Sequence, residues 1–219
     1  MALNDPQCPF RYRGLSGHTR RTYRRCRGGD DPKQVTMIDR GEIIAGYARA
    51  CSELEAYLAQ ATDAELRARS TGTRWTNEEL LFHMVFGYMV VRRLLPLVKG
   101  FGHLPLGFSQ VFARVLNAGL RPFDWVNYWG SRAASRVYHR HRMARKLRQL
   151  TTKLTTRQHT ESNDALALRM AFPTRWDPFF RPTMTVAELY AYPTDHFDFH
   201  ARQLNLAYRA PATAGPRAS

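Results

Sequence analysis

Three histidines have the residue type and the spacing to hold a metal ion. His196 and His200 sit four residues apart in Asp195-His196-Phe197-Asp198-Phe199-His200-Ala201-Arg202-Gln203-Leu204. On a helix, both rings leave the same face about one turn apart. His83 closes the stretch Trp75-Thr76-Asn77-Glu78-Glu79-Leu80-Leu81-Phe82-His83. If the two segments are neighbouring helices, three nitrogens converge on one ion and leave its other positions open. That is the layout of a reactive site rather than a structural one. Taken alone, a His-x3-His pair is equally compatible with two satisfied core histidines or an exposed pair.

Side chains around these histidines fit a site and also have plainer explanations. His83 lies in an apolar stretch, where an imidazole needs a specific partner to offset its desolvation. Glu79, one turn earlier, is placed to orient that ring by a hydrogen bond, or simply to close a capping box with Thr76. Gly87, one turn later, costs a helix about 1 kcal/mol against alanine. It leaves room for a ligand beside an ion, or for a close helix crossing. Tyr192, one turn before His196, brings a phenol toward the same cavity to manage a proton, or fills core.

The remaining histidines are weaker candidates. His139 and His141 fall on different faces of one helix; His141, at the edge of an apolar stripe, is expected as a core or boundary residue. His103 and His159 lie at helix ends or in loops, and His18 near the N-terminus. Glycine-rich phosphate loops, Ser-His-Asp order and catalytic-cysteine signatures are absent from the sequence.

Four main helices carry these residues. The first spans about 38–60, with Ile43, Ile44, Tyr47, Cys51, Leu54 and Leu58 on one stripe. The second starts at the Thr76/Glu79 box and runs to Leu95, before Pro96. A short amphipathic helix near 108–117 follows in the long connection. The third main helix is predicted from about Asp124 to Thr156, with Val126, Trp129, Ala133, Val137, His141, Ala144 and Leu147 in helical period. The fourth begins at Thr185 with Glu188, is expected to kink or restart at Pro193, and reaches about Tyr208. Strand-like alternation is scarce. The fold class is all-α, a four-helix bundle with an extra short helix between helices two and three.

Trp-Thr-x-Glu-Glu-Leu-Leu-x-His on the second helix, with His-x3-His-x-x-Gln-Leu on the last, resembles the DinB-like superfamily. That group includes YfiT-type proteins and the mycothiol-dependent maleylpyruvate isomerase. The resemblance covers about 37–209. It implies a bundle, often dimeric, with a divalent ion, zinc or nickel first, on His83, His196 and His200. It also implies transfer of a low-molecular-weight thiol such as mycothiol or bacillithiol to an electrophile.

Charge is distributed unevenly along the 219 residues, whose net charge is +15. Residues 1–36, with eight Lys/Arg and three Asp, are glycine-rich, poor in aliphatics and expected to be a flexible basic tail. Met37 opens the first helical pattern and is a candidate translation start, which N-terminal sequencing of the native protein decides. Residues 210–219 form a Pro/Ala/Gly tail of the same kind. Residues 131–157 hold nine Lys/Arg and no acid, where an ordinary exposed helix mixes signs. A solvated face explains such a run; so does docking to an anionic partner, whether nucleic acid, a membrane surface or an acidic protein. Helix-turn-helix and aromatic RNA-binding signatures do not occur. Cys8, Cys26 and Cys51 are an odd set without metal or redox spacing, so a reducing cytoplasm is expected. The longest apolar run, Leu80 to Val91, is expected to be a buried helix rather than a membrane span.

Overall fold

The computed structural model describes residues 39–208. Both expected tails, 1–36 and 210–219, lie outside the described residues. Four long helices form the bundle: α1 (Arg40–Gln60), α3 (Asn77–Gly102), α6 (Arg140–Thr160) and α8 (Val186–Ala201). Four further helices connect them: α2 (Asp63–Arg67), α4 (Leu106–Ala118), α5 (Leu120–Val137) and α7 (Asn163–Ala167). A small antiparallel pair, β1 (Arg169–Ala171) and β2 (Thr183–Thr185), sets Met170 opposite Met184. The chain is an all-α protein.

Helix α3 is the axis of the fold. Its N-terminus is closed by the Thr76/Glu79 capping box, and its sides pack against α5, α6 and α8. Leu80, Leu81, Met84, Val85, Tyr88, Val91, Leu95 and Val98 are completely buried. Each such side chain contributes about 1.5–3 kcal/mol over an exposed one. By length and composition α3 also suffices to cross a bilayer, but more than half of its apolar window is packed inside the bundle. Helix α1 buries Ile43, Tyr47, Ala50, Leu54 and Leu58 against α6 and α8.

Several expected boundaries are displaced, each for a physical reason. The third long helix is two helices, broken at Tyr138 and His139, although neither glycine nor proline stands there. Tertiary contacts hold the break. The Tyr138 ring stacks on Phe82 at 5.7 Å, and Arg140 donates from Nε to the Leu58 carbonyl at 3.0 Å. Because the break resets the helical phase, the stripe expected across it does not share one face. Met143 and Leu147 are buried on α6, whereas Trp129, Val137 and His141 face outward on or just beyond α5. Among the described side chains of α5, the buried ones are the small Ser131 and Ser135.

Helix α3 continues through Pro96 to Gly102. Pro96 and Arg92 are both exposed, so the Arg92 carbonyl that the proline ring leaves without a donor lies on the outer side of the helix, open to solvent. Helix α8 runs unbroken through Pro193. The Pro193 ring removes the amide that would have served the Leu189 carbonyl, while the Tyr47 hydroxyl of α1 donates to the next carbonyl, that of Tyr190, at 2.6 Å and ties this turn to the bundle. The helix stops at Ala201, short of Tyr208. The chain then returns across the start of α3, where Asn77 Nδ2 donates to the Asn205 carbonyl (3.0 Å) and Asn77 Oδ1 accepts from the Asn205 amide (2.9 Å).

Candidate metal centre

The packing of α3 on α8 brings His83 against His196 and His200. Ring centroids lie 4.9 Å apart for His83 and His196, 4.8 Å for His83 and His200, and 4.5 Å for His196 and His200. One nitrogen from each ring falls within 4.8 Å of the others. Two metal–nitrogen bonds of about 2.1 Å span about 4 Å at most, so small side-chain rotations suffice to close the set on an ion. All three rings are buried, at 4%, 3% and 2% exposure. The Trp75 indole lies on His83 with centroids 4.4 Å apart and covers it.

Burial sets the protonation of the cluster. Desolvation holds His196 down to about 4 and, with the neighbouring His196 charge, His200 down to about 3. His83 is lowered well below its ordinary value, by burial first and then by the other two rings. All three imidazoles are therefore neutral at pH 7, the form that donates a lone pair to a metal.

The outer nitrogens are held by residues without an assigned role in the sequence. His200 Nδ1 lies 2.7 Å from Gln203 Oε1, three residues on in the chain. His83 Nδ1 lies 3.3 Å from Ser131 Oγ of α5. The expected partner of His83, Glu79, is engaged elsewhere. Its Oε2 accepts from the Thr76 amide at 3.0 Å and its Oε1 lies 3.5 Å from Arg132 Nε. The capping box claims the carboxylate and turns it toward the helix end. His196 Nδ1 is buried with no hydrogen-bond partner. An orphaned imidazole nitrogen among two other neutral imidazoles is what a cation-binding set looks like, and the residues fit a divalent ion.

Gly87 sits directly behind this cluster. A Cβ there would stand 2.8 Å from His196 Nδ1, so the missing side chain lets the ring approach α3. Tyr192 donates to Asp177 Oδ2 at 2.8 Å, and the same oxygen lies 3.8 Å from His196 Nε2. Burial pushes the Asp177 carboxyl above its usual range and raises the Tyr192 phenol further, with Asp177 adding to the latter. Asp177 belongs to the segment between β1 and β2. Trp176 Nε1 anchors that segment by donating to the Leu116 carbonyl at 2.8 Å. Nothing in its sequence period signals this role, because loops carry no periodic pattern.

A cavity of about 130 Å³ opens from the cluster, with His83, His196, Tyr192 and Asp177 at one end. The other histidines stay apart: His103, His139, His141 and His159 are exposed, and His18 lies outside the described residues. The basic run from 131 to 157 is partly spent on ion pairs within the bundle. Arg132 meets Glu79, Arg140 meets Asp63 at 3.2 Å, Arg148 meets Glu55, and Arg157 meets Glu161 at 3.4 Å.

Comparison with known proteins gives one match. The family model described as the DinB superfamily covers residues 47–204. No curated protein and no solved structure matches. The matched span contains His83 on α3 and the His196–His200 pair on α8, with Gln203 just before its end. The chain belongs to the DinB superfamily.

Proposed function

We propose that this protein is a metal-dependent enzyme that activates a small thiol, with His83, His196 and His200 as the ligands. The carrying observation is a cluster of three buried, neutral imidazoles, two of which, His83 and His196, line a cavity. Zinc or nickel suits an all-imidazole set. When bound, the ion supplies a Lewis acid that lowers the pKa of a thiol such as mycothiol or bacillithiol. Among the described residues no cysteine lines the cavity: Cys51 lies 3.4 Å from Thr151 on α6, away from it.

The protein's residues handle the proton and the water. Asp177, hydrogen-bonded by Tyr192 and close to His196, is placed to take the S–H proton. The sulfur–carbon bond then forms on the electrophile, and Asp177 returns the proton to the leaving group or to the carbon beside the new bond. Trp75 and the apolar wall keep water from competing. A cytoplasmic setting, where low-molecular-weight thiols are abundant and reduced, belongs to the same reading. The test is metal analysis of untagged protein together with thiol consumption against a panel of electrophiles. Stoichiometric metal, lost in His83→Ala along with thiol consumption, supports the reading; full thiol consumption without metal refutes it.

One surface favours a second reading, in which the bundle docks on an anionic membrane without turnover. Trp125 and Trp129 are 65% and 47% exposed on α5, beside the exposed Arg136 and Val137. Helix α4 adds Phe108, Val111 and Val115. From 80 to 160 the sequence has a single acid, Asp124. Exposed tryptophans with arginines and almost no acid are the composition of a surface that enters a charged interface. Co-sedimentation with vesicles containing phosphatidylserine decides it. Binding abolished by Trp125→Ser with Trp129→Ser supports docking; a dimer that buries these tryptophans, or tight binding to DNA instead, overturns it.

A further inference from the structure

We infer that the cavity beside the histidines is a seat for a neutral, apolar substrate portion the size of one aromatic ring or a short alkyl chain. The inference rests on the metal-site reading for which end reacts, and on the cavity wall for what binds. On α3, His83, Gly87, Val90, Leu94 and Leu97 form one continuous row at helical spacing, leading away from the cluster along the cavity. Phe112 and Leu116 of α4 face that row. Met170, Phe172 and Phe180 close the side formed by the β1–β2 segment. Polar groups gather at the histidine end, in His83, Asp177, Tyr192 and His196; Asn127 also lines the cavity, and the Trp176 indole N–H is already given to the Leu116 carbonyl.

Two features of the wall select the ligand. The volume, about 130 Å³, is close to that of an engineered apolar cavity of about 150 Å³ that stays dry and takes up benzene. Among the described residues no lysine or arginine lines the cavity, so a carboxylate carried to its far end, away from the histidines, would be desolvated without a cationic side chain to pair it. Asp177 further repels an anion. A dicarboxylate or a sugar is disfavoured here; an uncharged ring or alkyl chain with its polar, reacting end at His83 and His196 is accepted.

The experiment is calorimetry of the full chain loaded with zinc, using the 1-alkanols from ethanol to decanol, benzyl alcohol, and the pair hexanoate and adipate, which share the carboxylate that meets the ion and differ in charge at the far end. Affinity is expected to rise about fourfold per methylene through the short members, the ratio that corresponds to about 0.8 kcal/mol, and to level off once the cavity is full. Adipate should bind at least tenfold more weakly than hexanoate. In Leu94→Trp, or in Leu116→Trp at the partly exposed rim, hexanol affinity should fall at least tenfold while zinc content stays unchanged. An affinity independent of chain length, or adipate binding as well as hexanoate, overturns the inference. If the alcohols bind as expected and zinc does not, the metal reading fails while the seat stands. If zinc binds and the alcohols do not, the seat fails alone.

Discussion

The amide oxygen of Gln203 stands 2.7 Å from Nδ1 of His200, so the end of α8 supplies a ligand candidate and the turn just after it supplies the group that orients it. An acceptor at Nδ1 places the proton there and leaves Nε2 as the lone-pair nitrogen. Ser131 holds Nδ1 of His83 in the same way from α5. Residues that fix a ligand's tautomer typically contribute 10–100-fold to metal affinity. Gln203→Ala and Ser131→Ala should each weaken zinc binding by about that factor. Glu79→Gln, although one turn from His83, should leave it unchanged. Competition against a chromophoric chelator measures all three; a loss in Glu79→Gln equal to that in Gln203→Ala would sink the assignment.

Gly87→Ala separates close approach from helix propensity. Alanine in a helix interior is favoured over glycine by about 1 kcal/mol, so on propensity alone the variant would be more stable. The added Cβ, however, would stand 2.8 Å from His196 Nδ1, and that ring is buried, so it must shift within packed surroundings to make room. Overpacking of this kind costs about 1–3 kcal/mol. The variant should melt below the wild type and bind zinc more weakly. A higher melting temperature with unchanged zinc affinity would mean that the ring yields without cost.

How far the sequence carries depends on the range of the interaction. The capping boxes at Thr76/Glu79 and Thr185/Glu188 are local, and both helices start where those residues require. The three histidines were legible because two share a helix turn and the third follows a capped helix start. Ser131, Asp177 and the break at Tyr138 were not legible. Each depends on a partner far along the chain: His83, Tyr192 and the stack on Phe82, respectively. The prolines misled for a related reason. Pro96 lies on an exposed turn of α3, where the carbonyl it leaves without a donor is open to solvent, and Pro193 lies in a turn that Tyr47 ties to α1 through the Tyr190 carbonyl. Neither circumstance can be seen from the local sequence.

Asn77 ties the chain's return to the base of α3. It is fully buried, donates from Nδ2 to the carbonyls of Glu65 and Asn205, and accepts from the Asn205 amide. Asn77→Ala removes these bonds and leaves buried backbone groups without partners. Loss of such a set costs about 2–4 kcal/mol. Chemical denaturation should register that loss, and proteolysis should cut the chain after Ala201 sooner than in the wild type. Asn77→Asp should recover only the bond from the Asn205 amide, and so only part of the stability.

The depressed histidines make the metal-free protein acid-sensitive over a definite window. In the unfolded chain these groups titrate near 6.5, whereas in the fold His196 and His200 are held to about 4 and about 3. Between those values the unfolded state binds protons that the folded state refuses, so stability falls as pH drops. Above about 6.5 both states are neutral there and these groups add no slope. Each histidine contributes up to about 1.4 kcal/mol per pH unit inside the window. Asp177, whose carboxyl is raised by burial, works in the opposite sense, so the comparison is best made as a difference. Chelator-treated wild type and His200→Asn should be unfolded in denaturant at pH 7.5, 6 and 5. The variant should lose less stability on acidification than the wild type, by about one histidine's share. Parallel losses in the two proteins would mean that His200 is hydrated in the folded chain, contrary to its burial beneath Trp75 and Phe199.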